Sequence, residues 1–263
     1  MQLEFYKYQG AGNDFVIVND LKGQFKRDDN ELVRFLCDRR FGIGGDGLML
    51  LRSSKDYDFE MVYYNSDGYE GSMCGNGGRC IVAFAYHQGI VDKECSFIAT
   101  DGAHAASVID KDGEEWVSLK MIDVTEISTE GQGVFLDTGS PHYVEFVKNL
   151  KEFPVVERGR EIRNSGRFIE NGTNVNFAEV LSNGDVKVRT YERGVEDETL
   201  ACGTGVTAVT IAADYMNMIN NNRINIRAVG GDLCVLYTEN DQVYSDVWLQ
   251  GPAKFVFKGC VDV

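Results

Sequence analysis

Proline is scarce. Three prolines in 263 residues leave little room for a disordered linker, and a composition of 43% hydrophobic and 25% charged residues is that of a globular chain. Basic residues are also short in number: 26 Lys and Arg against 41 Asp and Glu give a formal charge of -15, so nucleic acid and anionic membrane surfaces would be repelled. A small-molecule substrate suits this balance better. No apolar run approaches the roughly 18 residues that a bilayer-spanning helix needs, and residues 1–7 lack a basic head followed by an apolar stretch. The reading is therefore a cytoplasmic chain without a signal peptide. The 7 cysteines are odd in number, irregularly spaced and without a C-x-x-C pair, which points away from a disulfide framework and from a zinc site. His87 and His104 show no ligand spacing, so no metal is expected.

What the chain does have is glycine around two of its thiols. Cys74-Gly75-Asn76-Gly77-Gly78-Arg79-Cys80 runs into the apolar stretch Ile81, Val82, Phe84 and Ala85, which predicts a helix with Cys74 at its N-terminus. Ala201-Cys202-Gly203-Thr204-Gly205 runs in the same way into Val206, Ala208, Val209 and Ile211. The likeness extends upstream. Asn13 precedes Cys74 by 61 residues and Ser140 precedes Cys202 by 62; Asp46 and Asn174 each stand 28 before their cysteine; Asn65 and Arg193 each stand 9 before. Such agreement predicts one pattern written twice, in two pseudo-symmetric domains of residues 1–125 and 126–263 joined near 123–133. Their cysteine-bearing helix starts would then lie on either side of one cleft. Strands are predicted at residues 3–8, 15–18, 48–51 and 59–64, a helix within 28–40 capped by Asp28 or Asp29, and a meander across 95–121 turning at Asp112-Gly113.

Two opposed thiols suit a particular reaction. A proton beside a carboxylate and an ammonium is only weakly acidic, and inverting its carbon requires a base on one face and an acid on the other. A helix N-terminus lowers the pKa of a thiol from its ordinary value of about 8.5, so one cysteine can act as thiolate while its counterpart remains a thiol. The first N–H groups of each helix, on Gly75, Asn76, Gly203 and Thr204, can hold the substrate carboxylate onto which carbanion charge spreads. Cys37, Cys80, Cys95, Cys234 and Cys260 read as small core hydrophobes. The literal G-x-G-x-x-G of residues 42–47 precedes a strand rather than opening a helix, so a dinucleotide loop is not expected there.

With Gly12-Asn13-Asp14-Phe15, Asn65-Ser66-Asp67-Gly68, the Cys74 stretch, Tyr191-Glu192-Arg193-Gly194 and Ala201-Cys202-Gly203-Thr204-Gly205 together, the chain resembles the diaminopimelate epimerase family along essentially its whole length. The resemblance implies an α+β fold of two pseudo-symmetric domains, each a mixed sheet wrapped around a central helix, with the last strand, near residues 255–263, crossing back to the first domain. It implies an isomerase of lysine and peptidoglycan precursor synthesis that uses no cofactor, pyridoxal phosphate included, and interconverts LL- and meso-diaminopimelate. Cys74 and Cys202 would be the acid/base pair. Asn13, Asn65, Asn174, Glu192 and Arg193 would hold the substrate, with Arg193 on its distal carboxylate. A homodimer is compatible with the resemblance.

Ser140 stands where many family members carry asparagine, and Gly47 where some carry glutamine; Ser140 can still donate one hydrogen bond, and Gly47 is assigned no role. His142 is placed near the cleft but outside the catalytic pair. Another racemase on the same scaffold is the nearest alternative. Asn76 argues against the proline-type branch, which carries histidine there, and the cysteine pair argues against the phenazine-pathway isomerases. A catalytically dead binding module would be marked by loss of a thiol or of Arg193, and neither is lost.

Overall fold

A computed structural model describes residues 2–71 and 73–263; Met1, in the N-terminal stretch, and Ser72, in the glycine-rich stretch before Cys74, lie outside the described residues. The chain is α+β and divides into two compact units, residues 1–119 with 251–263, and residues 120–250.

In the first unit, β1 (Gln2–Gly10) and β2 (Asn13–Asn19) form an antiparallel hairpin, and α1 (Asn30–Cys37) carries the chain to β3 (Gly47–Arg52), parallel to β2. Asp29 caps α1 by accepting from Leu32 N. β4 (Phe59–Asn65) lies antiparallel to β3, and α2 (Gly75–His87) is the crossover to β5 (Glu94–Ala99), parallel to β4. β6 (Gly102–Lys111) and β7 (Glu114–Lys120) complete the meander. A parallel pair cannot be closed by a hairpin, which is why a helix follows β2 and β4 but not β1 or β3.

Alternation along the strands builds two apolar faces. Leu48, Leu50 and Val62 join Val33 and Leu36 of α1 on one side, whereas Met49 and Met61 approach α2 at Gly77 on the other. α2 is buried from Gly75 to Ala85, and its Phe84 ring packs against Tyr6 at 4.9 Å and Tyr8 at 5.9 Å. Side chains of this size contribute about 1.5–3 kcal/mol each when fully buried.

The second unit repeats the grammar. β8 (Ile127–Glu130) and β9 (Gly133–Asp137) form a hairpin, so the predicted joining segment contains a strand. β10 (Pro141–Phe146) pairs antiparallel with β9, α3 (Val155–Arg163) crosses to β11 (Asn174–Val180), parallel to β10, and β12 (Val186–Glu192) returns antiparallel. After the short β13 (Asp197–Thr199), α4 (Gly203–Tyr215) crosses to β14 (Arg223–Ala228), parallel to β12. β15 (Gly231–Asn240) and β16 (Val243–Pro252) close the meander, and β17 (Lys254–Asp262) pairs antiparallel with β1 in the first unit. β17 on β1 thus takes the place that β8 on β9 takes in the second unit.

In the second unit the alternation separates chemistry as well as volume. Tyr143, Val175, Phe177 and Tyr191 pack with Val155 and Ile162 of α3. Their neighbours along the strands, His142, Asn174, Asn176 and Thr190, turn to the opposite face, where α4 begins.

Candidate active site

Each central helix starts just after a cysteine held in extended backbone. Cys74 (φ -104°, ψ 127°) and Cys202 (φ -118°, ψ 113°) are the N-caps of α2 and α4. The fold brings these helix starts near the carboxyl ends of β4 and β12, where Asn65 and Glu192 are the last strand residues; ligands of open α/β sheets collect at such ends.

In the first unit the structure brings Cys74, Asn13 and Asn76 together. Asn76 Nδ2 donates to Asn13 Oδ1 at 3.1 Å, and Cys74 Sγ stands 4.0 Å from the same oxygen. Asn13 Nδ2 in turn donates to Asp46 Oδ2 at 2.5 Å. Asp46 and Asp14 share Arg39, and Asp14 also pairs with Lys7 at 2.7 Å. Burial alone would raise the Asp14 carboxyl, but Arg39 and Lys7 hold it at about 2. Asn65 stands apart: it is exposed, with its amide over Gly71, and meets no other candidate residue among the described residues.

In the second unit Cys202 Sγ accepts from Gly205 N at 3.4 Å and lies 3.3 Å from Thr204 Oγ1. Ser140 Oγ bridges Thr204 Oγ1 at 3.2 Å and Asn174 Nδ2 at 3.2 Å. Asn174 Oδ1 accepts from Arg193 N at 2.9 Å, and the exposed Arg193 side chain is anchored by Nη1 on Asn171 O at 2.8 Å. Glu192 is half-buried beside it. Gly203 is buried, and Gly75 likewise in the first unit, each as the first helical residue.

The equivalences read from the sequence reappear as contacts. Asn13 touches Asn76 and Asp46; Ser140 touches Thr204 and Asn174, the residues at the matching offsets. Serine at position 140 thus keeps the bridging place within its own unit.

His142 adjoins Thr204 and Ser140 of the Cys202 cluster. It is 0% exposed, and burial together with the Arg193 charge pushes its pKa down to about 3, so the ring is neutral. Asn176 is oriented by accepting from Thr190 Oγ1 at 2.9 Å and donating to Tyr143 O at 3.1 Å; it therefore donates to His142 Nδ1 at 3.0 Å. The ring proton is then on Nε2, which lies 2.9 Å from Thr204 Oγ1 and 3.0 Å from Ser140 Oγ. A Thr204 hydroxyl that accepts there can donate its own hydrogen bond to Cys202 Sγ. The sequence reading missed Asn176, Thr190 and Arg39; the period-2 spacing of Asn174 and Asn176 was the available signal.

The profile of the family described as diaminopimelate epimerase matches residues 5–126 and 134–256. The chain is 46% identical over 256 residues to the diaminopimelate epimerase of Flavobacterium psychrophilum, covering 97% of this chain and 99% of that one. It is 39% identical to that of Chlorobaculum tepidum, covering 96% and 98%. Among solved structures, a Bacillus anthracis phenazine biosynthesis protein aligns with a TM-score of 0.81 at 15% identity over 100% of both chains. A probable proline racemase from Agrobacterium radiobacter aligns at 0.68 and 16% identity, covering 99% and 92%. Those two similarities establish the fold.

Proposed function

The chain belongs to the diaminopimelate epimerase family, and from that membership we propose that it interconverts LL- and meso-diaminopimelate in the cytoplasm, for lysine and peptidoglycan precursor synthesis. The carrying observation is full-length identity of 46% together with two cysteines at the N-caps of two equivalent helices.

In this reading residues 1–125 and 126–263 are the two epimerase halves, the last strand counting with the first. One of Cys74 and Cys202 enters as thiolate and takes the α-proton; the electron pair left on carbon spreads into the adjacent carboxylate. The other cysteine, entering as thiol, gives its proton to the opposite face and leaves as thiolate. The proton count is unchanged and the two thiols have exchanged roles, so the reverse reaction starts from the product state. Backbone N–H groups of Gly75, Asn76, Gly203 and Thr204 hold the reacting carboxylate. The exposed fork of Arg193 takes the distal carboxylate, and Asn13, Asn65, Asn174 and Glu192 meet the remaining ammonium and carboxylate groups. Side chains and backbone supply every step, without a cofactor. A homodimer is compatible with the family resemblance, and light scattering tests it as a mass twice that of the chain.

The deciding experiment is proton NMR of LL-diaminopimelate in heavy water with reduced protein. Deuterium is expected at one α-carbon as the meso isomer forms. Exchange with a different amino acid and none with diaminopimelate would move the substrate, and no exchange with any amino acid would overturn the reading.

A further inference from the structure

Arg79 is 0% exposed within α2, yet among the described residues no carboxylate pairs with it. Its Nη1 donates to Gly75 O at 3.2 Å and its Nη2 to Asn76 Oδ1 at 2.9 Å, both neutral acceptors, and its Nε has no hydrogen-bond partner among the described residues. A guanidinium stays protonated at any working pH, so a full positive charge is held out of water here. Such burial is strongly unfavourable unless an anion compensates it.

The titratable groups around it do not supply one. Asp14 on β2 and Asp46 before β3 are matched by Lys7 on β1 and Arg39, two carboxylates against two cations. Tyr6 and Tyr8 on β1 face α2 through Phe84, and burial raises both phenols, so they are neutral. His87 pairs with Glu115 at the far end of the helix. Ala106 and Val108 of β6, Met49 of β3 and Met61 of β4 carry no charge. Cys80 is buried, and desolvation pushes its thiol up to about 12. The remaining group in electrostatic contact with Arg79 is Cys74.

We propose that Arg79 is the buried counter-charge of the Cys74 thiolate, a positioning residue that makes the first thiol electrostatically unlike the second. The local geometry is built for it. An α-helical side chain leans toward the N-terminus, which aims the guanidinium from position 79 back at the helix start. Gly10 of β1 makes the room: a Cβ there would stand 3.2 Å from Asn76 O and 3.5 Å from Arg79 Nη2. By holding Asn76 Oδ1, Arg79 also turns Asn76 Nδ2 toward Asn13 Oδ1, the oxygen beside Cys74 Sγ. In the second unit the equivalent position is Thr207, whose Oγ1 donates to Gly203 O at 3.1 Å and brings no charge.

The proposal rests on the reading that Cys74 is a catalytic thiol, and its test needs no turnover. Alkylation by iodoacetamide is followed against pH by mass spectrometry of the Cys74 and Cys202 peptides, without substrate. Wild-type Cys74 is expected to titrate about one unit or more below the ordinary thiol value of about 8.5. Arg79→Met should raise that titration by about one unit, roughly a tenfold slower alkylation at neutral pH, with Arg79→Lys restoring most of it and Cys202 unmoved. A wild-type Cys74 titrating at or above the ordinary value overturns the proposal, as does a folded Arg79→Met protein with Cys74 unchanged. A second measurement leaves Arg79 in place. Between about pH 6 and about pH 9 wild type should gain stability relative to Cys74→Ala, because a thiol whose pKa is depressed by folding contributes as pH rises. No gain there would also sink the proposal. Absence of diaminopimelate exchange would overturn the functional reading and leave these titrations standing.

Discussion

At the residue scale His142 enters the fold as a neutral ring, held by Asn176 on one nitrogen and facing Thr204 and Ser140 with the other. Its stability contribution has a definite sign. Between about 6.5, where a histidine ordinarily titrates, and about 3, where this one does, the unfolded chain takes up a proton that the folded chain refuses. Stability therefore falls as pH drops through that window. His142→Gln should lose less Tm than wild type between about pH 7 and about pH 4, and equal losses would contradict the assignment. At Cys202, Thr204→Val keeps the shape and removes the hydroxyl 3.3 Å from Sγ. A hydrogen bond to a charged group is worth about 1.5–3 kcal/mol, so kcat for epimerisation should fall about tenfold or more. Cys74→Ala and Cys202→Ala should each abolish epimerisation, whereas Cys80→Ala, its thiol protonated in the core, should remain active.

At the scale of elements, the approach of α4 to β11 sets a steric limit. A Cβ on Gly205 would stand 2.5 Å from Asn176 Oδ1 and 3.3 Å from His142 Cε1. Gly205→Ala should cost about 1–3 kcal/mol, read in urea unfolding as a lower midpoint with an unchanged slope. The elements differed in how far they could be read in advance. α1, α2 and α4 carry a cap or a glycine-cushioned start followed by apolar spacing, and those signals are local. α3 does not. Val155–Arg163 buries Val155, Gly159 and Ile162 in a sequence that is otherwise polar apart from Val156, and Gly159 is a poor helix former kept because a Cβ would stand 2.5 Å from the Tyr191 side chain. Its helicity comes from the face it covers, which is tertiary information. The site divides in the same way. The offsets that pair Asn13 with Ser140 and Asp46 with Asn174 are visible along the chain. The Thr190, Asn176 and His142 connection joins three strands and is fixed by register, His142 opposite Asn174 and Asn176 opposite Thr190.

At the scale of the whole molecule, the two units share one order of pairings, antiparallel and parallel in the same places around a central helix. The first is completed by β17, whose residues pair with β1 from Gln2↔Asp262 to Gln9↔Lys254. Removing residues 254–263 should expose that edge of β1 and speed hydrogen exchange of its amides, while amides of β10, β11 and β12 keep their protection. Unchanged exchange in β1 would show that the pairing contributes little.

That pairing also sets a timetable. A nascent chain emerges from its N-terminus, so β1 leaves the ribosome before the other strands of both units and β17 after them. At about 5–20 residues per second the wait between them is on the order of 10–50 s. During that interval the second unit's strands are synthesised in full, whereas the first unit waits with one edge unsatisfied. The half of the enzyme that is made first is the half that finishes folding last.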